Sequence, residues 1–125
     1  MNERLFAVRG AVQVMSDEPS RIVDAVARLY ESILHANEFI HEKEIVDIMF
    51  TVTDDLRSIN PATALRKNRS SFSIPLFCMQ EPNIDGMSKN MIRILIHAYG
   101  PIDTVVRPQY LDGAASLRPD LTFRS

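Results

Sequence analysis

The sequence predicts an α+β domain in which a mixed β-sheet is packed by one long helix and one or two short helices. Four or five segments alternate apolar and polar residues as strands do, and one longer segment repeats its apolar residues at helical spacing. The length of 125 residues favours a single domain over residues 1–125, with residues 119–125 as a flexible tail. A sheet with only one good helix leaves its other face short of cover, so we expect self-association.

The first half of the chain predicts a strand, a long helix and a second strand. The first strand covers residues 5–15, where Gly10 indicates a bulge or a close approach by another group. Pro19 suits the first turn of a helix that ends near Asn37. The apolar stripe of this helix consists of Ile22, Val26, Leu29, Tyr30 and Ile33. The β-branched and apolar residues 45–52 then predict a buried strand.

The second half of the chain predicts a short helix and three more strands. Asn60-Pro61 marks a helix start, because a residue before proline avoids the α region. A strand over residues 72–79 contains Pro75, which favours a position at the sheet edge. Residues 91–99 alternate most clearly, with isoleucine at every second position in the centre. The last predicted strand covers residues 109–117.

Composition argues against several classes of protein. Fourteen basic and sixteen acidic residues give a formal net charge of −2, so we expect no nucleic-acid partner. No uncharged apolar run approaches the roughly 20 residues of a membrane-spanning helix, so we expect no membrane partner. Residues 1–14 contain Glu3, Arg4 and Arg9, unlike a secretory signal, and Cys78 is the single cysteine, so a cytoplasmic protein is expected. The sequence contains no phosphate loop and no metal-ligand spacing.

Arginines inside apolar strand patterns are the feature that could carry chemistry. Arg9 and Arg93 both interrupt such patterns, and a buried guanidinium costs several kcal/mol unless it is paired. In one interpretation each arginine pairs with a carboxylate, Glu81 for Arg93, and holds the sheet together. In the other they form an anion pocket, because the guanidinium fork matches a carboxylate. Further donors for such a pocket are Arg66, Arg118 and Tyr110. The residue pattern alone leaves both interpretations open.

At these arginines the chain resembles a known family. The motifs, in order, are Val8-Arg9-Gly10-Ala11, Thr53-Asp54-Asp55-Leu56, Pro61-Ala62, Cys78-Met79-Gln80-Glu81, Ile92-Arg93, Tyr110-Leu111 and Leu117-Arg118-Pro119-Asp120-Leu121. They resemble the AroH-class chorismate mutases, the mixed α/β trimeric type, over residues 4–121. Each motif alone is weak. The Cys-Met-Gln-Glu, Ile-Arg and Leu-Arg-Pro-Asp-Leu motifs at compatible spacing are together quite specific.

The resemblance implies an enzyme that rearranges chorismate to prephenate, on the branch towards phenylalanine and tyrosine, without a cofactor or metal. It also implies a homotrimer with a pseudo-barrel core and active sites in clefts between two subunits. Arg93 would reach the ether oxygen of the breaking bond. Arg9, helped by Tyr110, would bind a substrate carboxylate. Glu81 and Cys78 would meet the ring hydroxyl.

The same resemblance implies the mouth and the walls of the pocket. Arg66 and Arg118 would stand at the mouth near the ring carboxylate. The walls would be formed by Ala62, Leu76 and Leu117. Three wall or mouth positions depart from the family pattern, where an aromatic residue, a lysine and a small polar residue are common; they are Asn60, Thr63 and Phe77.

Two other functions use the same arginines. A non-catalytic trimer could bind a small dicarboxylate metabolite without converting it, and the three departures favour this alternative. A purely structural trimer could use the arginines as internal ion-pair partners. Turnover under substrate excess distinguishes the enzyme from the binder, because a binder saturates and stops.

Overall fold

The strands and helices were defined from a computed structural model that describes residues 2–67, 69 and 73–116. The strands are β1 (Glu3–Gln13), β2 (Ile45–Val52), β3 (Leu76–Gln80), β4 (Met91–Pro101) and β5 (Gln109–Leu111). The α-helices are α1 (Pro19–Ala36) and α2 (Pro61–Lys67), and short 3₁₀ helices cover Glu42–Glu44 and Asp112–Ser116. The predicted α+β class is confirmed. No helix in this part of the chain is both long and apolar enough to cross a membrane.

The five strands form one mixed sheet in the order β3-β2-β4-β1-β5. β4 is antiparallel to both β1 and β2, whereas the edge strands β3 and β5 run parallel to their neighbours. The alternation predicted for residues 91–99 is confirmed, and β4 continues to Pro101. The helix face of the sheet is buried against α1; it includes Val8, Val12, Ile48, Phe50, Ile92, Ile94 and Ile96.

α1 covers the helix face through the predicted stripe. All five stripe residues are fully buried, and Pro19 occupies the first position of the helix. Its end is fixed by Asn37, whose side-chain amide donates to the carbonyls of Ile33 and Arg107, both at 2.9 Å. The side-chain oxygen of Asn37 accepts from the backbone N–H of Arg107 at 2.7 Å. This satisfied amide holds the segment before β5 against the end of α1.

Gly10 lies where α1 and β5 approach β1 closely. A Cβ at this position would be 2.9 Å from the carbonyl oxygen of Gln109 and 3.0–3.1 Å from methyl groups of Ile33 and Leu29. The pairing of β1 with β4 runs through Gly10 without a shift in register. The close approach is therefore confirmed, and the bulge is wrong.

Gly10→Ala is expected to lower the free energy of unfolding by about 1–3 kcal/mol, because the new methyl overpacks against a backbone oxygen that cannot rotate away. Thermal and denaturant unfolding measure the change. Gly86→Ala separates the two causes of strain: a Cβ at Gly86 meets nothing within 4 Å, so any loss of stability there comes from its backbone φ of 85° and not from overpacking. Equal stability of Gly10→Ala and the wild type would show that the helix and β5 accommodate the methyl freely.

The last predicted strand, over residues 109–117, is wrong beyond Leu111. Asp112 has a φ of 55°, which turns the chain out of the sheet into a 3₁₀ helix. Its carboxylate accepts from Arg28 at 2.9 Å, so a side-chain interaction with α1 accompanies the turn. Leu117, Arg118 and the predicted tail over residues 119–125 lie outside the described residues.

Two other predicted strands differ at their ends. β3 begins at Leu76, because Pro75 has no N–H to donate to β2, although its carbonyl accepts from Ile48 at 3.0 Å. Its predicted position at the sheet edge is confirmed, and Phe72, the predicted first residue, lies outside the described part. β1 covers Glu3–Gln13 and so begins and ends two residues earlier than predicted.

Among the described residues, the second face of the sheet, called the open face here, carries no α-helix, and the 3₁₀ helix Asp112–Ser116 covers only its end, where Ala114 packs on Ala11 and Tyr110. Its side chains alternate with those of the helix face; they include Leu5, Ala7, Arg9, Ala11, Met49, Thr51, Phe77, Met79, Arg93, Leu95, His97, Tyr99 and Tyr110. Phe77 is 64% exposed, and Leu5, Met79 and Tyr99 are 43–44% exposed. Such a surface is more apolar than water-facing sheets usually are.

Candidate active site

The pairing of the strands places four side chains in one row across the open face; they are Tyr110, Ala11, Arg93 and Thr51. Arg93 of β4 lies opposite Ala11 of β1 on one side and opposite Thr51 of β2 on the other. Tyr110 of β5 lies on the far side of Ala11. Only a methyl side chain separates the strand positions of Tyr110 and Arg93, and Ala11 and Tyr110 are buried there together with Met91 and Ala114.

Arg93 is held by Glu81 at the end of β3. The Nε of Arg93 donates to Oε2 of Glu81 at 2.9 Å, and the Thr51 hydroxyl donates to the same oxygen at 2.6 Å. Glu81 is buried to 7% exposure, and its backbone N–H donates to the carbonyl of Val52. Within the described chain, the Nη atoms of Arg93 and Oε1 of Glu81 have no hydrogen-bond partner. The pair is thus fixed from one side and keeps donors and an acceptor for a ligand.

Two more donors on this face have no acceptor among the described residues. Arg9 is exposed and makes no ion pair there. The Tyr110 hydroxyl is buried without a partner in the same part of the chain. Leaving a buried hydroxyl unpaired costs about 1–3 kcal/mol. Arg9 and Tyr110 lie on β1 and β5, the two strands that follow β4 in the order of the sheet.

The remaining predicted site residues lie elsewhere. Leu76 and Cys78 of β3 and Ala62 of α2 pack against the core on the helix face. Burial there raises the pKa of the Cys78 thiol. Phe77 projects from the same strand to the open face, where it is exposed.

The outer residues of α2 differ in what they do. Arg66 and Thr63 are exposed. Asn60 turns its side chain towards the helix, because its Oδ1 accepts from the backbone N–H of Ala62 at 2.8 Å. This contact is an N-terminal helix cap. It explains why asparagine is compatible with a position at which the family often has an aromatic residue.

The predicted residues therefore form two sets. The open-face set consists of Arg9, Glu81, Arg93 and Tyr110; Phe77 also projects to the open face, at the β3 edge, and is counted in neither set. The edge set, from α2 and β3, consists of Asn60, Ala62, Thr63, Arg66, Leu76 and Cys78. Cys78 and Glu81 are three residues apart along extended chain, so their side chains project to opposite faces of the sheet. The described part of one chain does not bring them to one hydroxyl.

The Thr-Asp-Asp motif fixes the start of β4. The Thr53 hydroxyl accepts from the backbone N–H of Met91 at 2.9 Å and donates to Asp55 at 2.5 Å. Both carboxylate oxygens of Asp55 accept from the backbone N–H of Asn90 at 3.1 Å. These contacts clamp β4 two residues before Arg93, so the motif positions the arginine rather than touching a ligand.

The segment after Arg66 is tied to α1. The Arg69 guanidinium lies 4.7 Å from the ring centre of Tyr30 and pairs with Glu31 and Glu42. The Tyr30 hydroxyl donates to Glu42 at 2.6 Å, and desolvation, with this hydrogen bond, raises the pKa of the Tyr30 phenol. The backbone N–H of Arg69 donates to the carbonyl of Arg66. Arg69 therefore anchors the exposed end of α2.

Two clefts in the described chain do not contain the arginines of the open-face set. One of about 450 Å³ adjoins Glu81 and is lined by residues 53–55 and 81–89, which carry more acidic than basic groups. The other, of about 890 Å³, lies between α1 and the 3₁₀ helix at Asp112. Its arginines, Arg21 and Arg28, pair with neighbouring carboxylates. Neither cleft of the single chain is a complete site for a dianion.

Comparison with known proteins decides the family. The family model for chorismate mutase type I matches residues 5–121. The chain belongs to this family. The resemblance indicated by the sequence motifs is thereby confirmed.

Individual chorismate mutases agree with this assignment. Chorismate mutase AroH of Bacillus subtilis (strain 168) is 31% identical over 117 residues, which are 93% of this chain and 91% of that protein. Chorismate mutase AroH of Thermus thermophilus is 38% identical over 117 residues, 91% of this chain and 93% of that protein. The solved chorismate mutase from Clostridium thermocellum is 32% identical, with a TM-score of 0.79, and covers 89% of this chain and 98% of its own.

Thr51, which is half-buried in β2, was not predicted as a site residue. Its strand and its burial were predictable, but a threonine in a β-branched strand carries no signal of its own. Only the register between β2 and β4 places Thr51 beside Arg93.

Proposed function

We propose that this chain is a chorismate mutase that converts chorismate to prephenate, a step in aromatic amino-acid synthesis, in the cytoplasm. The observation that supports this most directly is Arg93. Its Nε is fixed on Glu81, and its Nη donors have no partner in the described part of a type I family chain. No observation favours a non-catalytic binder of a dicarboxylate over the enzyme.

The reaction suits a site with fixed donors and no base. It is a unimolecular pericyclic rearrangement in which a C–O bond breaks, a C–C bond forms and no proton moves. The flexible dianion must be held in a compact conformer, and Arg9 with Tyr110 would bind one of its carboxylates. Holding that conformer removes an entropic part of the barrier.

Arg93 would supply the electrostatic part of catalysis. Negative charge gathers on the ether oxygen as the C–O bond lengthens. A guanidinium already in place stabilises this charge more than it stabilises the ground state, which is the condition for raising the rate. Glu81 would hold Arg93 through Oε2 and accept the ring hydroxyl through Oε1.

We also propose a homotrimer of single-domain chains, covering residues 1–125, with each active site between two subunits. The exposed apolar side chains of the open face are suited to burial against another copy. The separation of the open-face set from the edge set supports a shared site, because a second subunit can supply the edge set where one chain does not. Arg118 and Leu117 would complete the mouth and wall.

Turnover of chorismate by the purified chain tests the proposed function. We expect chorismate absorbance to fall continuously under substrate excess, with prephenate as the only product by chromatography. The Arg93→Ala variant, purified in the same way, controls for a contaminating chorismate mutase. Binding of chorismate that saturates at one equivalent per site without prephenate would instead establish the non-catalytic binder.

We expect kcat to change less than about threefold between pH 6 and pH 9, because no proton moves in the reaction and burial raises the pKa of the Cys78 thiol, which favours its neutral form. A pH series in constant ionic strength measures this. Cys78→Ala should give an equally flat profile, whatever its absolute rate. A bell-shaped profile centred near neutrality would indicate acid–base chemistry and contradict the mechanism.

A further inference from the structure

Thr51 makes a contact that the family resemblance does not assign. Its hydroxyl donates to Oε2 of Glu81 at 2.6 Å, the oxygen that also accepts from Nε of Arg93 at 2.9 Å. Thr51 lies directly opposite Arg93 in the β2–β4 register. Two donors therefore converge on one carboxylate oxygen from neighbouring strands, and the other oxygen has no partner among the residues described.

This convergence selects one of two ways in which a carboxylate can meet a guanidinium. Arginine and carboxylate commonly pair through two parallel hydrogen bonds, which occupy both carboxylate oxygens and two guanidinium nitrogens. Here the contact uses Nε and Oε2 alone. The Thr51 hydroxyl occupies a second lone pair of Oε2, which opposes rotation of the carboxylate into the two-bond arrangement.

The choice matters because the two-bond arrangement would occupy the groups that a substrate needs. It would take one Nη donor of Arg93 and Oε1 of Glu81. The single-bond arrangement leaves all Nη donors for a developing negative charge and Oε1 for a hydroxyl. A threonine is well suited to this task, since a β-branched side chain has few rotamers in a strand.

We propose that Thr51 is a positioning residue that keeps the Arg93–Glu81 pair in its single-bond arrangement. The proposal rests on the proposed mutase function for its kinetic consequence and on the structure alone for its geometric one. Thr51 acts through Glu81 and Arg93 and does not itself touch the reacting atoms.

The kinetic test compares Thr51→Val with Thr51→Ser. Valine keeps the shape and loses the hydroxyl, so kcat is expected to fall roughly 10- to 100-fold, the range for a lost hydrogen bond to a charged group, with KM within about threefold. Serine restores the hydroxyl and should keep kcat within about threefold of the wild type. Thr104→Val, the same change in the loop after β4, should leave kcat and the melting temperature unchanged.

Crystal structures of the wild type and Thr51→Val give a readout that does not depend on turnover. We expect the Glu81 carboxylate of Thr51→Val to rotate so that both oxygens meet Arg93. An unrotated carboxylate together with unchanged kcat overturns the proposal. Equal loss of kcat in the valine and serine variants also overturns it, because packing would then be the cause.

The two proposals fail in different ways. If the wild type converts no chorismate, the proposed function fails. In that case the Glu81 rotation in Thr51→Val still supports the positioning role, and its absence overturns that role.

Discussion

Arg93→Ala is expected to lower kcat/KM at least about 10³-fold while the chain still folds, because it removes the charge that meets the ether oxygen in the proposed mechanism. Loss of one neutral donor at such a position typically costs about 10²–10³, and Arg93 contributes a full charge. The loss should appear mainly in kcat, since the arginine interacts more strongly with the transition state than with the substrate. Steady-state kinetics under substrate excess measure it.

Arg93→Lys separates charge from geometry. Lysine keeps a positive charge, but a single ammonium cannot hold Glu81 through one nitrogen and present others in a fixed plane. We therefore expect a loss of about 10² or more in kcat for this variant as well. Near-normal turnover in either variant would remove Arg93 from the mechanism.

Arg21→Ala is the matched control for both variants. Arg21 lies on the exposed side of α1 and pairs with Glu18 at 3.3 Å, where both side chains are at least half exposed. Such surface ion pairs contribute little, so kcat and the melting temperature should stay close to those of the wild type. Equal loss in Arg21→Ala would indicate that the assay responds to net charge rather than to the site.

The position of Arg93 on the open face was predictable from sequence because alternation in a strand is local. Isoleucine at every second position of β4 fixes which face is buried, and Arg93 falls on the other face. The possible pairing of Glu81 with Arg93 also followed from the sequence. The pair leaves the Nη donors of Arg93 without a partner among the described residues, so ion pairing with Glu81 does not exclude an anion pocket.

The contacts that depend on register or on local turns were not predictable. Thr51 meets Glu81 because β2 lies between β3 and β4, and this order is set by packing of the whole sheet. The end of β5 depends on the left-handed backbone of Asp112 and on its contact with Arg28. The capping role of Asn60 required the start of α2 to be known in space.

The separation of Cys78 from Glu81 has the largest consequence for the assembly. Three residues along a strand reverse the face, so no rotation of either side chain brings both to one hydroxyl within the sheet of a single chain. A site that uses both must take Glu81 from one subunit and Cys78 from another. In the proposed trimer, the open-face and edge sets would then belong to different chains at each active site.

Mixed trimers of Arg93→Ala and Arg66→Glu are expected to recover activity that both parents lack. Arg93 belongs to the open-face set, and Arg66 is exposed on α2 in the edge set, where charge reversal repels a dianion without disturbing the fold. If each site takes one set from each subunit, random mixing gives about a quarter of the sites two intact sets, and about that share of wild-type activity. Co-expression, with mixed trimers counted by native mass spectrometry, measures it.

A second mixture is the control, because both of its variants damage the same set of residues. Arg93→Ala and Glu81→Ala both damage the open-face set, so no subunit in their mixed trimers carries this set intact. This pair should therefore remain inactive, while the first pair recovers. If both residues of the first pair served a site within one chain, every site would carry one damaged residue, and mixing would restore nothing. Recovery in the first mixture alone thus requires that Arg93 and Arg66 reach each substrate from different subunits.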